Sequence, residues 1–290
     1  MDWLILSLLT AALVAGATLL EKRGLVREHS MEFTAALALF SVFATIPLWP
    51  RTNWEQIIGP SIFPIFLASA INAAAFFFLA KGIRHLPIST TTPLLSLQPL
   101  LVAIFAVIFI SEKITALHFA GILVLVIGAY IVEVQKGDSP GRPFARIAKN
   151  TNYLYMLAAL VLFTIASIFD KIILSWYHVE PMTYITATHA FIALIFLGIL
   201  SASSDGVKKV SHAMKNAGVY VLLCAVLVVG YRTAQSFALV QADVSIVTAI
   251  KRTSVIFVTL FGGNLFHEGN ILQKTLGTII MIIGTVMLIL

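Results

Sequence analysis

Lys251 and Arg252 stand side by side inside "VTAIKRTSVIFVTLFGG", residues 247–263, a stretch otherwise apolar enough for hydrocarbon. A cation near the middle of a membrane helix costs on the order of 2.5–3.5 kcal/mol on insertion scales, so two in succession demand a compensating role. One role is passive. Lys251 lies about 9 Å inside the expected start of its helix at 1.5 Å per residue, and its long stem could snorkel back to the interface. Arg232 argues for a different role: it lies seven residues before the expected end of the preceding helix, and antiparallel neighbours bring it to the depth of the pair. Gln235, three positions after Arg232, shares its helix face and adds a neutral hydrogen-bonding group. Guanidinium forks and an ammonium at one depth make a surface for a carboxylate or phosphate, strengthened by low dielectric. Asp170, expected on the same side near the end of the sixth span, is the internal partner for one of these cations. It is also the competitor of any bound anion.

The elements that must position these groups follow from composition. The 290 residues are 59% hydrophobic and 11% charged, with a mean hydropathy of +0.98, which excludes an ordinary soluble domain. Apolar runs near the ~20 residues that cross a bilayer as helix recur along the chain. Ten are expected, at 3–20, 33–49, 61–80, 88–110, 116–134, 153–173, 181–200, 217–239, 245–265 and 271–290. The first lacks a basic flank before Trp3 and has a counterpart later in the chain, so it reads as a retained helix, not a cleaved leader. Cys224, the single cysteine, lies inside a span and rules out an internal disulfide or a cysteine-based metal site. The formal charge of +6 reports loop topology here, not a nucleic-acid partner.

Two segments match without gaps at an offset of 156: Pro87-Ile88-Ser89 answers Asp243-Val244-Ser245, Glu112 answers Glu268, Gly121 answers Gly277 and Gly128 answers Gly284. Earlier in each half, Glu21-Lys22 answers Asp170-Lys171 and Thr34 answers Thr183 at an offset of 149. The expected fold class is therefore an all-α integral membrane protein of ten transmembrane helices in two five-helix repeats, 1–134 and 153–290, joined by a polar linker at 135–152. An odd number of spans per repeat inverts the second copy in the membrane. Loop charges agree: thirteen Lys and Arg fall on the side holding the linker and three on the other. Positive-inside logic then places both termini outside.

"LAKGIRHLPISTTTPLLSLQPLLVAIFAVIFISEKITALHFAGILVLVIGAYIV" and "ALVQADVSIVTAIKRTSVIFVTLFGGNLFHEGNILQKTLGTIIMIIGTVMLIL" both resemble the EamA module of the drug/metabolite transporter superfamily, over nearly the whole chain. The resemblance implies a secondary transporter, with export of amino acids or related metabolites. Members are usually drawn with both termini in the cytoplasm, opposite to the charge distribution of this chain. "AIKRTSVIF" is also similar to the Lys-Arg pair in the ninth helix of plastid sugar-phosphate translocators, which implies that Lys251 and Arg252 grip an anionic group. Those transporters carry a further lysine in the fourth helix, where this chain has Leu95. The first span, 3–20, holds no carboxylate like that of the small multidrug exporters, which disfavours export of lipophilic cations.

Other residues fill in a path. Pro93 and Pro99 each remove a backbone donor from the fourth span, freeing the carbonyls of Ser89 and Leu95 and bending the helix. Freed carbonyls in hydrocarbon need partners, so this helix is expected to line a cavity with Ser96 and Gln98 exposed to it. Asn72 is a further lining candidate, and His189 a proton relay or a hydrogen-bonded packing residue. Glu112 and Glu268 read as structural, each offsetting the dipole at the start of its half's last helix. The paired glycines of the final helices read as sites of close helix contact. "HEGNI" lacks the second histidine of H-E-x-x-H and no phosphate-binding glycine loop occurs, so no enzyme, cofactor or metal is expected. The expected function is alternating-access transport of a small anionic or zwitterionic metabolite; phosphate-ester exchange and an intramembrane enzyme or lipid-phosphate binder are the alternatives. The expected partners are the substrate and the bilayer, without nucleic acid, the chain being a monomer or homodimer. A reporter fused after Leu290 that is active only outside the cytoplasm should be active; activity of a cytoplasm-only reporter there would invert the topology.

Overall fold

The computed structural model describes residues 2–110, 115–133, 147–202 and 206–287, and among them all regular structure is helical. The ten membrane helices are α1 (Asp2–Arg27), α2 (Ser30–Ala44), α3 (Ile62–His85), α4 in two pieces (Ile88–Leu95 and Gln98–Ile110), α5 (Ala116–Glu133), α6 (Thr151–Ser175), α7 (Pro181–Ser201), α8 (Gly206–Gln241), α9 (Val244–Leu265, interrupted) and α10 (Ile271–Met287). Seven are long and apolar enough to cross a membrane alone; α2, α10 and the Leu123–Val132 core of α5 are shorter apolar helices. Their ends follow local chemistry. Leu86, held extended by Pro87, terminates α3; the Asn150 side chain accepts from the Asn152 amide at 2.9 Å to start α6; Pro181 occupies the first turn of α7.

Two helices outrun their expected spans. α8 has 36 residues, about 54 Å, so the lysines at 208, 209 and 215 stand on helix instead of in a loop. α1 continues to Arg27 and carries Glu21 and Lys22, both more than nine-tenths buried, among its neighbours. The expectation that the first helix holds no carboxylate is thereby corrected: Glu21 belongs to it. Glu112 and most of the linker lie outside the described residues.

The halves interlock. α1 packs on α8 as α6 packs on α3, α2 on α8 as α7 on α3, and α1 on α9 as α6 on α4, while α2–α7, α4–α9 and α5–α10 are self-paired. Exchanging the halves maps this contact pattern onto itself. Individual bonds repeat it: Lys22 Nζ donates to the carbonyls of Ile83 and Leu86 at 2.5 and 2.8 Å, and Lys171 Nζ donates to those of Leu239 and Ala242 at 2.7 and 2.9 Å. Each lysine caps the C-terminus of the third helix of its own half, where carbonyls lack intrahelical partners and the dipole is negative.

Glu268 is structural in a way that differs from the expectation. Its carboxylate accepts from the amides of Ile88 and Ser89, the former at 2.6 Å, and from the Ser89 hydroxyl. It therefore caps α4 of the first half, not the α10 that follows it. The glycines behave as the sequence suggests. A methyl at Gly284 would lie 2.6 Å from the Leu125 amide nitrogen and 2.7 Å from the Gly121 carbonyl, and one at Gly277 would lie 2.9 Å from the Gly128 carbonyl. The α5–α10 backbones touch there, and only glycine allows it. Gly284→Ala should destabilise the protein in detergent by about 1–3 kcal/mol, read as a lowered melting temperature, whereas Gly198→Ala, where nothing lies within 4 Å, should leave it unchanged.

Candidate functional site

Both central helices break at the same place. α4 stops at Leu95 and restarts at Gln98; α9 stops at Arg252, 3-10 hydrogen bonds close the turn, and a π-helical turn follows at Val258–Gly262. Positions 96–97 and 252–253 are repeat mates. Pro93 and Pro99 explain the first break, since each lacks the amide that would continue the helix. The second has no proline and coincides with the charged pair.

A cavity lies beside these breaks, with about 760 Å³ of space between its lining atoms, mouth included. It sits between two apolar clusters: one gathers Ala80, Ile83, Met156 and Val221 at the linker side, the other Ile65, Ile173, Leu239 and Val247 at the opposite side. The cavity wall is nearly closed under exchange of the halves. Thr18 faces Ser167, Glu21 Asp170, Asn72 Val228, Phe76 Arg232, Leu79 Gln235, and Leu95 Lys251, all as mates. The wall therefore follows the two-fold relation in position while its chemistry is asymmetric.

Lys251, Arg252 and Arg232 all reach this cavity, each 7–8% exposed, which removes the snorkelling reading of the pair. Their partners differ. Arg232 Nη1 donates to Asp170 Oδ2 at 2.9 Å, and the Tyr184 hydroxyl donates to the other carboxylate oxygen. Lys251 Nζ reaches only the amide oxygen of Gln235, at 3.3 Å. Arg252 donates Nε to Gln98 Oε1 at 3.0 Å, with Nη2 on the same oxygen. Two cations thus hold neutral amides, and among the described residues no carboxylate pairs with them.

The remaining expected residues divide. Asn72 lines the cavity with its Nδ2 on the Ala68 carbonyl at 2.9 Å, and its Oδ1 has no partner among the described residues. Gln98 and Ser96 are not among the lining residues, contrary to the expectation; α4 contributes Leu95. Gln98 instead stands behind the wall, its Nε2 on the Phe163 carbonyl and Ser167 hydroxyl at 3.0 and 3.1 Å, where it aims Arg252. The Ser96 hydroxyl is buried without a described partner. His189 belongs to a separate small pocket with Thr34, Ser41 and Phe196, its Nε2 unpartnered among the described residues. Two buried groups at the cavity or bonded to its wall escaped the sequence. Glu21 was visible as the repeat mate of Asp170, but a short first span hid it. Tyr184 gave only the general signal that a tyrosine buried in a membrane helix needs a hydroxyl partner.

A ten-helix inverted-repeat bundle with a cavity beside broken helices is the architecture of a polytopic membrane transport protein. Residues 1–134 and 150–290 match the EamA-like transporter family, and the chain belongs to that family. It is an EamA-type transporter of the drug/metabolite superfamily. It is 24% identical over 130 residues to the uncharacterized transporter YwfM of Bacillus subtilis, a match spanning 44% of each chain. A solved crystal structure shares the fold, with a TM-score of 0.66 at 14% identity, over 98% of this chain and 94% of the other.

Removing the negative partner of a buried pair leaves a stranded charge, at a cost of about 3–5 kcal/mol. Asp170→Asn should therefore lower thermal stability strongly, and the double substitution Asp170→Asn, Arg232→Gln should recover most of the loss in the same melting assay.

Proposed function

We propose that the chain moves a small carboxylate-bearing metabolite, an amino acid or related compound, by alternating access, in the direction of export. The observation that carries this reading is the pair Lys251 and Arg252, buried in one cavity and held only by the amides of Gln235 and Gln98. Two desolvated cations with neutral partners are costly without a ligand and strong with one, because the ligand's charge replaces lost hydration. Buried polar atoms beside them complete the set: Arg232 Nη2, Gln235 Nε2 and Asn72 Oδ1 have no described partner, and each such group forfeits about 1–3 kcal/mol until one is supplied.

The breaks in α4 and α9 supply the moving parts. A helix interrupted at a cavity presents half-helix ends to the ligand, and repeat-related interruptions allow one half to rock against the other. Leu95 forms the wall at the position mated to Lys251, so the cations gather on one side, which suits a single carboxylate better than the multiply charged head of a phosphate ester. The setting is the cytoplasmic membrane of a prokaryotic cell with both termini on the outer face, an orientation the loop charges favour.

The test is flux. Purified protein in liposomes should exchange one class within a panel of amino acids, organic acids and sugar phosphates. Lys251→Ala or Arg252→Ala should cut that exchange by about tenfold to a hundredfold, the worth of a lost charge-assisted hydrogen bond, while the protein stays monodisperse. Tight binding of an anion without flux, or unchanged kinetics in both variants, would overturn the reading.

A further inference from the structure

Glu21 lines the same cavity at 8% exposure, and its carboxylate makes no hydrogen bond or ion pair with any described residue. Its mate Asp170 is fully engaged by Arg232 and Tyr184. The difference is written in the repeat. The position mated to Arg232 is Phe76, and the position mated to Tyr184 is Ala35. The first half has kept the carboxylate and lost both groups that would neutralise it. A buried, unpaired carboxylate costs several kcal/mol, so Glu21 must take either a proton or a cation from outside the protein.

Topology fixes where that cation would sit. Glu21 lies six residues before the end of α1, and Asp170 five before the end of α6, at the opposite membrane face. Arg232, bonded to Asp170, and the pair Lys251 and Arg252, early in α9, belong to the Asp170 end. The cavity is thus polarised, with uncompensated cations towards one face and an uncompensated carboxylate towards the other. A simple organic anion would satisfy the first and leave Glu21 only a proton for a partner.

We propose that Glu21 is the ammonium-reading subsite of the transport cavity, and that the substrate is a zwitterion with a carboxylate and an ammonium group. This rests on the carboxylate reading of Lys251 and Arg252 and adds to it the residue that selects amino-carboxylates over plain carboxylates. The apolar wall between the charged ends, with Phe76 and Phe163 edge to face at 5.2 Å, takes the hydrocarbon part of the substrate.

The experiment compares each amino compound with its des-amino analogue in counterflow through proteoliposomes, carrier-free liposomes subtracted. Leucine is set beside isocaproate for an α-ammonium, and lysine beside norleucine for a distal one. Wild type should prefer the amino partner in at least one pair by about tenfold to a hundredfold, since a site built for a charged donor rejects the analogue lacking it. Glu21→Gln should erase that preference, lowering exchange of the amino compound while sparing or raising that of the plain carboxylate; Glu21→Asp should restore part of it. Equal exchange of both partners by wild type would overturn the proposal, and so would equal loss of both in Glu21→Gln, which would mark a proton-carrying or packing role. Lys251→Ala serves as the separate control. If it abolishes both partners while Glu21→Gln alters neither, the carboxylate reading stands and the ammonium subsite falls. If it alters neither, the carboxylate reading falls first.

Discussion

Hydrocarbon offers no hydrogen bonds, so every charge and every helix end inside the bilayer must find its partner within the protein. The fold is organised around that rule. Lys22 and Lys171 close the carbonyl ends of α3 and α8, and Glu268 closes the amide end of α4. The two lysines cap helices of their own halves, whereas Glu268 reaches across to cap a helix of the other half. The start of α4 therefore depends on the second half for the partner of its first amides.

The same rule makes the exceptions informative. Where mated positions carry the same chemistry, as with the two lysines or the glycines of α5 and α10, the residues build the fold. At the cavity several mates differ: Leu95 against Lys251, Phe76 against Arg232, Asn72 against Val228. These divergent mates give the wall its asymmetric chemistry, while Thr18 and Ser167, or Glu21 and Asp170, line it with like groups. Among the described residues the cavity holds one carboxylate paired with Arg232, one without an ion pair and two cations held by amides. The proposed substrate site rests on that imbalance, since the charges of an ion-pair network would close on themselves.

Mechanically, the wall that carries the cations is also the wall least able to hold a single shape. α9 changes direction at Thr253 and again through its π-helical turn, and α4 yields at Ser96 and Leu97. Charge and backbone discontinuity share one layer of the bundle, between the two apolar clusters. Under the proposed function, ligand charge would arrive at these interrupted segments, whereas the α5–α10 pair is held in backbone contact at its glycines.

Much of this was legible along the chain, because length and apolarity dictate membrane helices and the offsets of 156 and 149 expose the repeat. The shared depth of Arg232, Lys251 and Arg252 followed from helix direction alone. Other features were not legible, for physical reasons. A hydropathy run ends at the first charges and so stops short of Glu21, although a helix can continue past them into a protein-lined interior. Proline position shows where a helix bends but not which face turns inward, which leaves Ser96 and Gln98 open to either side. The position of Glu268 signals a cap, but the helix it caps is 180 positions away, a distance no local rule spans. The sequence by itself determined that the chain is a membrane-spanning inverted repeat with costly charges in its second half. Only the tertiary structure decided which charges neutralise one another, because pairing depends on side-chain reach across helices that are remote in the chain.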